Sequence, residues 1–119
     1  MELKLSHTGK VLIAKILEEK FTNVDANDFR ETMEEQIRKD ELKIILDLEK
    51  VKYMDSSALG SVITTRNRLE EHAEALDSSG ILAVANLGKN VKTIFDVFKM
   101  DSILRIYDDL DSAVKDIEG

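Results

Sequence analysis

In the stretch KYMDSSALGSVI, residues 52–63, a carboxylate (Asp55) is followed at once by two hydroxyls (Ser56, Ser57), and Ser61 supplies a third one turn later. A hydroxyl beside a carboxylate serves three chemistries: attack on a carbonyl, capping of a helix, or acceptance of a phosphoryl group. A hydrolase elbow reads G-x-S-x-G, and Asp55-Ser56-Ser57-Ala58-Leu59-Gly60 lacks the flanking glycines that relieve that turn. Capping requires only one group: Asp55 or Ser56 can accept from the first free amides of the following helix. A hydroxyl is then left over at a helix N-terminus. There the free amides and the positive end of the helix dipole can hold a dianionic phosphate without melting the fold.

Other chemistries find no residues. The glycines stand singly at 9, 60, 80, 88 and 119, whereas phosphate loops and dinucleotide folds need them clustered. His7 and His72 are expected on the surface, with no acid and hydroxyl at a motif spacing. Glu18-Glu19, Glu34-Glu35 and Asp108-Asp109 read as solvated faces or caps rather than converging pairs. With no cysteine there is no thiolate ligand, nucleophile or disulfide. No catalytic residue, cofactor or metal is therefore expected, and the chain is not read as an enzyme. With 24 acidic against 17 basic residues, a net charge of −7 disfavours a phosphate backbone as partner. The start MELKLSHTGK has no apolar signal region, and no apolar run approaches a membrane span. The expectation is a soluble, cytoplasmic protein that touches neither nucleic acid nor membrane.

The elements that must position Ser56 follow from periodicity. Leu3 and Leu5 on one side of His7-Thr8-Gly9-Lys10, and Val11 to Ile13 on the other, predict a hairpin. Phe29, Met33 and Ile37 fall four apart among charges, predicting a helix capped by Asp25. The run LKIILDL (42–48) predicts a central strand buried on both faces. Leu59, Val62, Ile63 and Leu69 predict a helix from Ser57 to about Ala75, in which at least two of Leu59, Val62 and Ile63 pack inward and Ala58 and Gly60 allow close approach to the sheet. A turn at 77–80 leads to the strand ILAVAN (81–86). A third helix over 89–98 places Val91, Ile94, Phe95 and Phe98 on one face; ILRIY (103–107) is a short strand, and Leu110, Val114 and Ile117 mark a closing helix. The order ββαβαβαβα implies one α/β domain over residues 1–119, a mixed sheet opened by a hairpin and layered with about four helices.

The segment VKYMDSSALG resembles the phosphorylation motif of bacterial anti-sigma factor antagonists, members of the STAS domain family. The resemblance extends through VANLGKNVKTIFDVFKMDSILRIYDDLDSAV (84–114), and the inferred element order agrees along nearly the whole chain. It implies that Ser56, the first serine after the aspartate, accepts phosphate, with Ser57 as the secondary candidate. Two positions depart from the family pattern: Thr22 stands where an acid near the phosphorylation site is usual, and Ala58 where glycine is common.

The resemblance further implies a partner-switching regulator. The unphosphorylated form docks on an anti-sigma factor with serine kinase activity and releases a sigma factor; phosphorylation of Ser56 ends binding, and a phosphoserine phosphatase resets it. The docking surface is expected to gather Thr22 and Asn23, then Asp55, Ser56, Ser57, Ala58 and Leu59, then Asn86, Leu87 and Gly88. The alternative is a structural or ligand-sensing STAS module of a larger assembly, with Ser56 only a helix cap.

Overall fold

The β-branched, apolar character of the central runs fixes their place. In the computed structural model, which describes residues 1–118, strands β1 (Leu3–Thr8), β2 (Val11–Ile16), β4 (Lys43–Asp47), β6 (Ile81–Ala85) and β7 (Arg105–Tyr107) form a sheet in the order β1-β2-β4-β6-β7. β1 is antiparallel to β2, joined by a two-residue turn in which Gly9 takes a φ of +60°, a conformation glycine adopts without strain. The other neighbours are parallel, with Ala14 opposite Leu46 and Leu46 opposite Val84. The sheet is mixed and opens on a hairpin, as the sequence implies.

Alternation along the strands divides the interior in two. Leu12, Ala14, Ile16, Ile44, Leu46, Leu82 and Val84 point to one face. There they meet Phe29, Met33 and Ile37 of α1 (Asn23–Arg38), Leu59, Val62 and Leu69 of α2 (Ser56–Ala75), and Val91 and Phe95 of α3 (Lys89–Val97). Val11, Ile45, Ala83 and Ala85 point the other way and are covered by Ala113 and Ile117 of α4 (Leu110–Glu118). Each inward Leu, Ile or Phe contributes roughly 1.5–3 kcal/mol by leaving water, so the periodic apolar positions dominate the choice of fold.

Four expectations need correction. Two further strands, β3 (Lys20–Phe21) and β5 (Tyr53–Met54), pair in parallel as a separate two-stranded ribbon. Two-residue runs are too short to carry a periodicity. Helix α1 is capped by Thr22 rather than Asp25 and begins two residues earlier than Asp25; the Asp25 carboxylate instead reaches back to the Thr22 amide at 3.4 Å, completing a capping box. Phe98 is 54% exposed: α3 ends at Val97, Lys99 turns the chain in a left-handed conformation, and Met100 takes the core position that helical spacing gave to Phe98. Ile103 and Leu104 precede β7, which is only three residues long, and Leu104 closes the 3-10 turn over Met100–Ser102 by donating to the Met100 carbonyl.

The β3–β5 ribbon has a larger consequence than its size suggests. Each of its strands runs into a long helix, so α1 and α2 start side by side and run parallel. Cross-links between the helices confirm the register: Arg68 forks onto the Glu34 carboxylate at 2.7–3.2 Å near mid-length, and His72 meets Asp40 at 2.8 Å at the far end.

Candidate functional site

Parallel helices bring two positive dipole ends together, and Asp55 stands between them. It is the N-cap of α2, with one carboxylate oxygen accepting the Ala58 amide at 2.9 Å. The other oxygen accepts the Asn23 amide, also at 2.9 Å, in the first turn of α1. One side chain therefore caps two helices contributed by segments 32 residues apart. The backbone reinforces the junction: the amides of Lys52 and Tyr53 donate to the Glu19 carbonyl at 2.7 and 3.2 Å, and that of Asp55 to Phe21 at 3.3 Å.

With Asp55 acting as cap, Ser56 becomes the first residue inside α2, and both Ser56 and Ser57 are exposed. Neither hydroxyl is held by another group among the described residues. The remaining hydroxyls of the helix are committed to its own carbonyls: Ser61 donates to Ala58 at 2.6 Å, Thr64 to Gly60 at 2.9 Å and Thr65 to Ser61 at 2.8 Å. Ser61 and Thr65 are also buried. Of five hydroxyl side chains on α2, only the first two face solvent without a partner.

The other predicted docking residues divide. Thr22 and Asn23 lie beside Asp55, but Thr22 is half-buried and its hydroxyl accepts the Val24 amide at 3.4 Å. Ala58 and Leu59 are buried, 0% and 3% exposed, on the inward face of α2 that helical periodicity assigns to the core. Val62 is buried with them, and Ile63 is half-buried against the same core. Gly60 does not share the packing role of Ala58, since a Cβ placed there would meet nothing within 4 Å.

Asn86, Leu87 and Gly88 follow β6 at the same edge of the sheet as the end of β4 and the loop leading to Asp55. Asn86 is turned inward: its φ is +62° and its side-chain amide donates to Asp47 at 3.1 Å. Asp47, only 5% exposed, accepts the Glu49 amide at 3.1 Å with the same oxygen. This buried carboxylate thus braces the β4–β5 loop against the β6–α3 loop. Leu87 packs against the core, leaving Gly88, the cap residue of α3, as the exposed member of the trio.

Sequence reasoning missed Asp47, and it missed two exposed apolar side chains. Val24, next to the Asn23 amide held by Asp55, is 82% exposed, and Tyr53, two residues before Asp55, is 48% exposed. Neither has a periodicity to announce it. The histidines lie elsewhere: His7 meets Glu41 at 2.6 Å, and His72 is about 24 Å along α2 from Ser56 at 1.5 Å rise per residue. Among the described residues no three His, Asp or Glu side chains converge as a metal site would require, and no helix is long and apolar enough to cross a membrane.

Comparison with known proteins places this architecture. The chain is similar to an anti-sigma factor antagonist from Mycobacterium paratuberculosis, with 15% identity over 99% of this chain and 94% of that one and a TM-score of 0.84. It is similar to SpoIIAA of Bacillus, an anti-sigma factor antagonist, in its unphosphorylated form: 21% identity over 99% of both chains, TM-score 0.73. The same fold occurs within the murine anion transporter Slc26a9, where 92% of this chain matches 18% of that one at 15% identity and a TM-score of 0.69. Comparison with curated protein sequences yields no match. At these identities the likeness concerns the fold, and it is the model of the STAS domain, matching residues 3–113, that makes this chain a member of the STAS domain family.

Proposed function

We propose that this protein is an anti-sigma factor antagonist switched by phosphorylation of Ser56. Unphosphorylated, it binds an anti-sigma factor that is also a serine kinase and frees a sigma factor; phosphorylated, it lets go, and a phosphoserine phosphatase restores it. It is the substrate of this chemistry and not an enzyme, and it works as a single STAS unit over residues 1–119, in the cytoplasm, without touching DNA or membrane. The observation that carries the reading is the division of labour at the start of α2: Asp55 makes the cap bond, and the Ser56 hydroxyl is exposed and unengaged. The same observation counts against the rival reading, in which Ser56 is only a cap within a structural or ligand-sensing module. Similarity to SpoIIAA, a protein known in unphosphorylated and phosphorylated forms, supports it further.

In the transfer, a bond forms between Ser56 Oγ and the γ-phosphorus of ATP while the bond from that phosphorus to the β,γ-bridging oxygen breaks, and ADP leaves. No base of this chain is hydrogen-bonded to the Ser56 hydroxyl among the described residues, so the hydroxyl proton is assigned to a base on the kinase. The product places roughly −1.5 to −2 charges beside Asp55, on a chain already at −7. At the centre of a docking face made by Asn23, Ser56, Ser57 and Gly88, with Thr22 at its edge, that charge must be desolvated on docking and repels the Asp55 carboxylate beside it. An uncompensated charge buried in this way costs several kcal/mol, enough to dissolve a complex.

The test is a titration of the anti-sigma factor with the unphosphorylated protein, the protein phosphorylated on Ser56, and Ser56→Asp. Binding should weaken at least tenfold on phosphorylation and less for Ser56→Asp, which carries a smaller charge. Equal affinity of the first two forms would overturn the charge-repulsion mechanism.

A further inference from the structure

Two glycines of this chain have a reason inside the fold. Gly9 takes a positive φ in the hairpin turn, and a Cβ on Gly80 would lie 2.9 Å from both the side chain and the carbonyl of Leu69. Gly60 has neither reason. Its φ lies outside the left-handed region, it sits within the 20-residue helix α2, and the space its Cβ would occupy is empty to 4 Å. Glycine lowers helix stability relative to alanine because it has more backbone freedom to lose. Folding alone would favour alanine at this position.

Its place on the helix is specific. Gly60 lies four residues after Ser56 and three after Ser57, the spacings that put residues on one face of a helix. The flanking junction carries Val24 and Tyr53, two exposed apolar side chains that the core also leaves unexplained. A position emptied of its side chain, on the same helix face as the acceptor hydroxyl, matches a surface approached closely by another protein.

We infer that Gly60 is a contact residue for the serine kinase that phosphorylates Ser56: its missing side chain admits an apolar side chain or a backbone segment of the kinase against the second turn of α2. The inference rests on the phosphorylation reading above and adds a residue that sets specificity without taking part in the transfer.

The experiment compares wild type, Gly60→Ala, Gly60→Leu and a control, Glu74→Leu, on the exposed surface near the end of the same helix. Each is melted alone and then assayed with the purified anti-sigma factor kinase and ATP, following phosphate on Ser56. Gly60→Ala should melt at or above the wild-type temperature, yet its kcat/KM should fall several-fold through KM. For Gly60→Leu the fall should exceed tenfold, and Glu74→Leu should match wild type. Wild-type kinetics in Gly60→Ala and Gly60→Leu would overturn the inference and leave the Ser56 reading standing. A lower melting temperature for Gly60→Ala would also overturn it, by revealing an internal reason for the glycine. Should Gly60→Leu fail to fold, the alanine variant decides alone. Absence of transfer to wild type from any anti-sigma kinase of the source organism would remove both readings.

Discussion

The two ends of the α1–α2 pair are held differently. At the far end, polar side chains find one another: His72 with Asp40, His7 with Glu41, and Arg68 with Glu34 further in. At the near end a single carboxylate takes backbone amides from both helices, while next to it two hydroxyls, two apolar side chains and a glycine have no internal task. The far end is accounted for by the stability of the molecule alone. The near end contains more than folding uses, and the proposed function rests on that surplus. Its geometry is fixed through backbone hydrogen bonds, which leave the neighbouring hydroxyls available.

The contrast is most sharply broken at Ser56. Ser56→Ala should abolish phosphate incorporation, yet shift stability by no more than about 0.5 kcal/mol, because an exposed side chain without a partner contributes little. Phosphate persisting on that variant, read by mass spectrometry, would move the acceptor to Ser57 or beyond. Asp55→Ala comes next. It removes one acceptor from each of two helix N-termini and should cost about 2 kcal/mol in urea unfolding, against about 1 for an ordinary cap. Asp55→Asn should lose about half as much, since its single acceptor oxygen can keep only one of the two bonds. A loss below about 1 kcal/mol for Asp55→Ala would mean that its bond to α1 adds nothing.

Asp47→Ala should cost about 1–2 kcal/mol by leaving the Asn86 side-chain amide and the Glu49 amide without their acceptor. Hydrogen exchange should then accelerate in the β4–β5 and β6–α3 loops together; acceleration in one alone would deny that the carboxylate braces both. The smallest effect belongs to the middle of the pair. The hydrogen bond from Arg68 holds the Glu34 carboxyl below the ordinary glutamate range and the Arg68 guanidinium above its own. A depressed carboxyl contributes stability that is present above its unfolded value, about 4.3, and lost as pH falls through the folded one. Glu34→Gln should therefore show a shallower loss of stability below about pH 4, by under 1 kcal/mol because both groups remain partly solvated. An acid limb identical to wild type would show the clasp to be without weight.

The sequence carried the large elements because their signals are local. Ile44 to Leu46 and Leu82 to Ala85 are runs that only a doubly covered strand buries, and Phe29, Met33 and Ile37 repeat at the helical period. Asp55-Ser56-Ser57 was legible for the same reason, as one contiguous segment. What escaped depends on distant or very short pieces. The second bond of Asp55 spans 32 residues and runs to a backbone amide, which no residue type announces. The ribbon that sets α1 beside α2 has two residues per strand. Thr22 and Asp25 were both competent caps, and only the geometry assigns the cap to one and the return bond to the other. Phe98 keeps the spacing of α3 after the helix has ended, and Leu59, close in sequence to the exposed hydroxyls, lies on the inward face of α2.

Intact-mass measurement of the protein after incubation with ATP and each anti-sigma factor kinase of its source organism, with fragmentation to locate the modification, bears most directly on the central claim. One phosphate on Ser56 from one of those kinases is the predicted result. No transfer from any of them, or a phosphate on a hydroxyl other than that of Ser56, would contradict it.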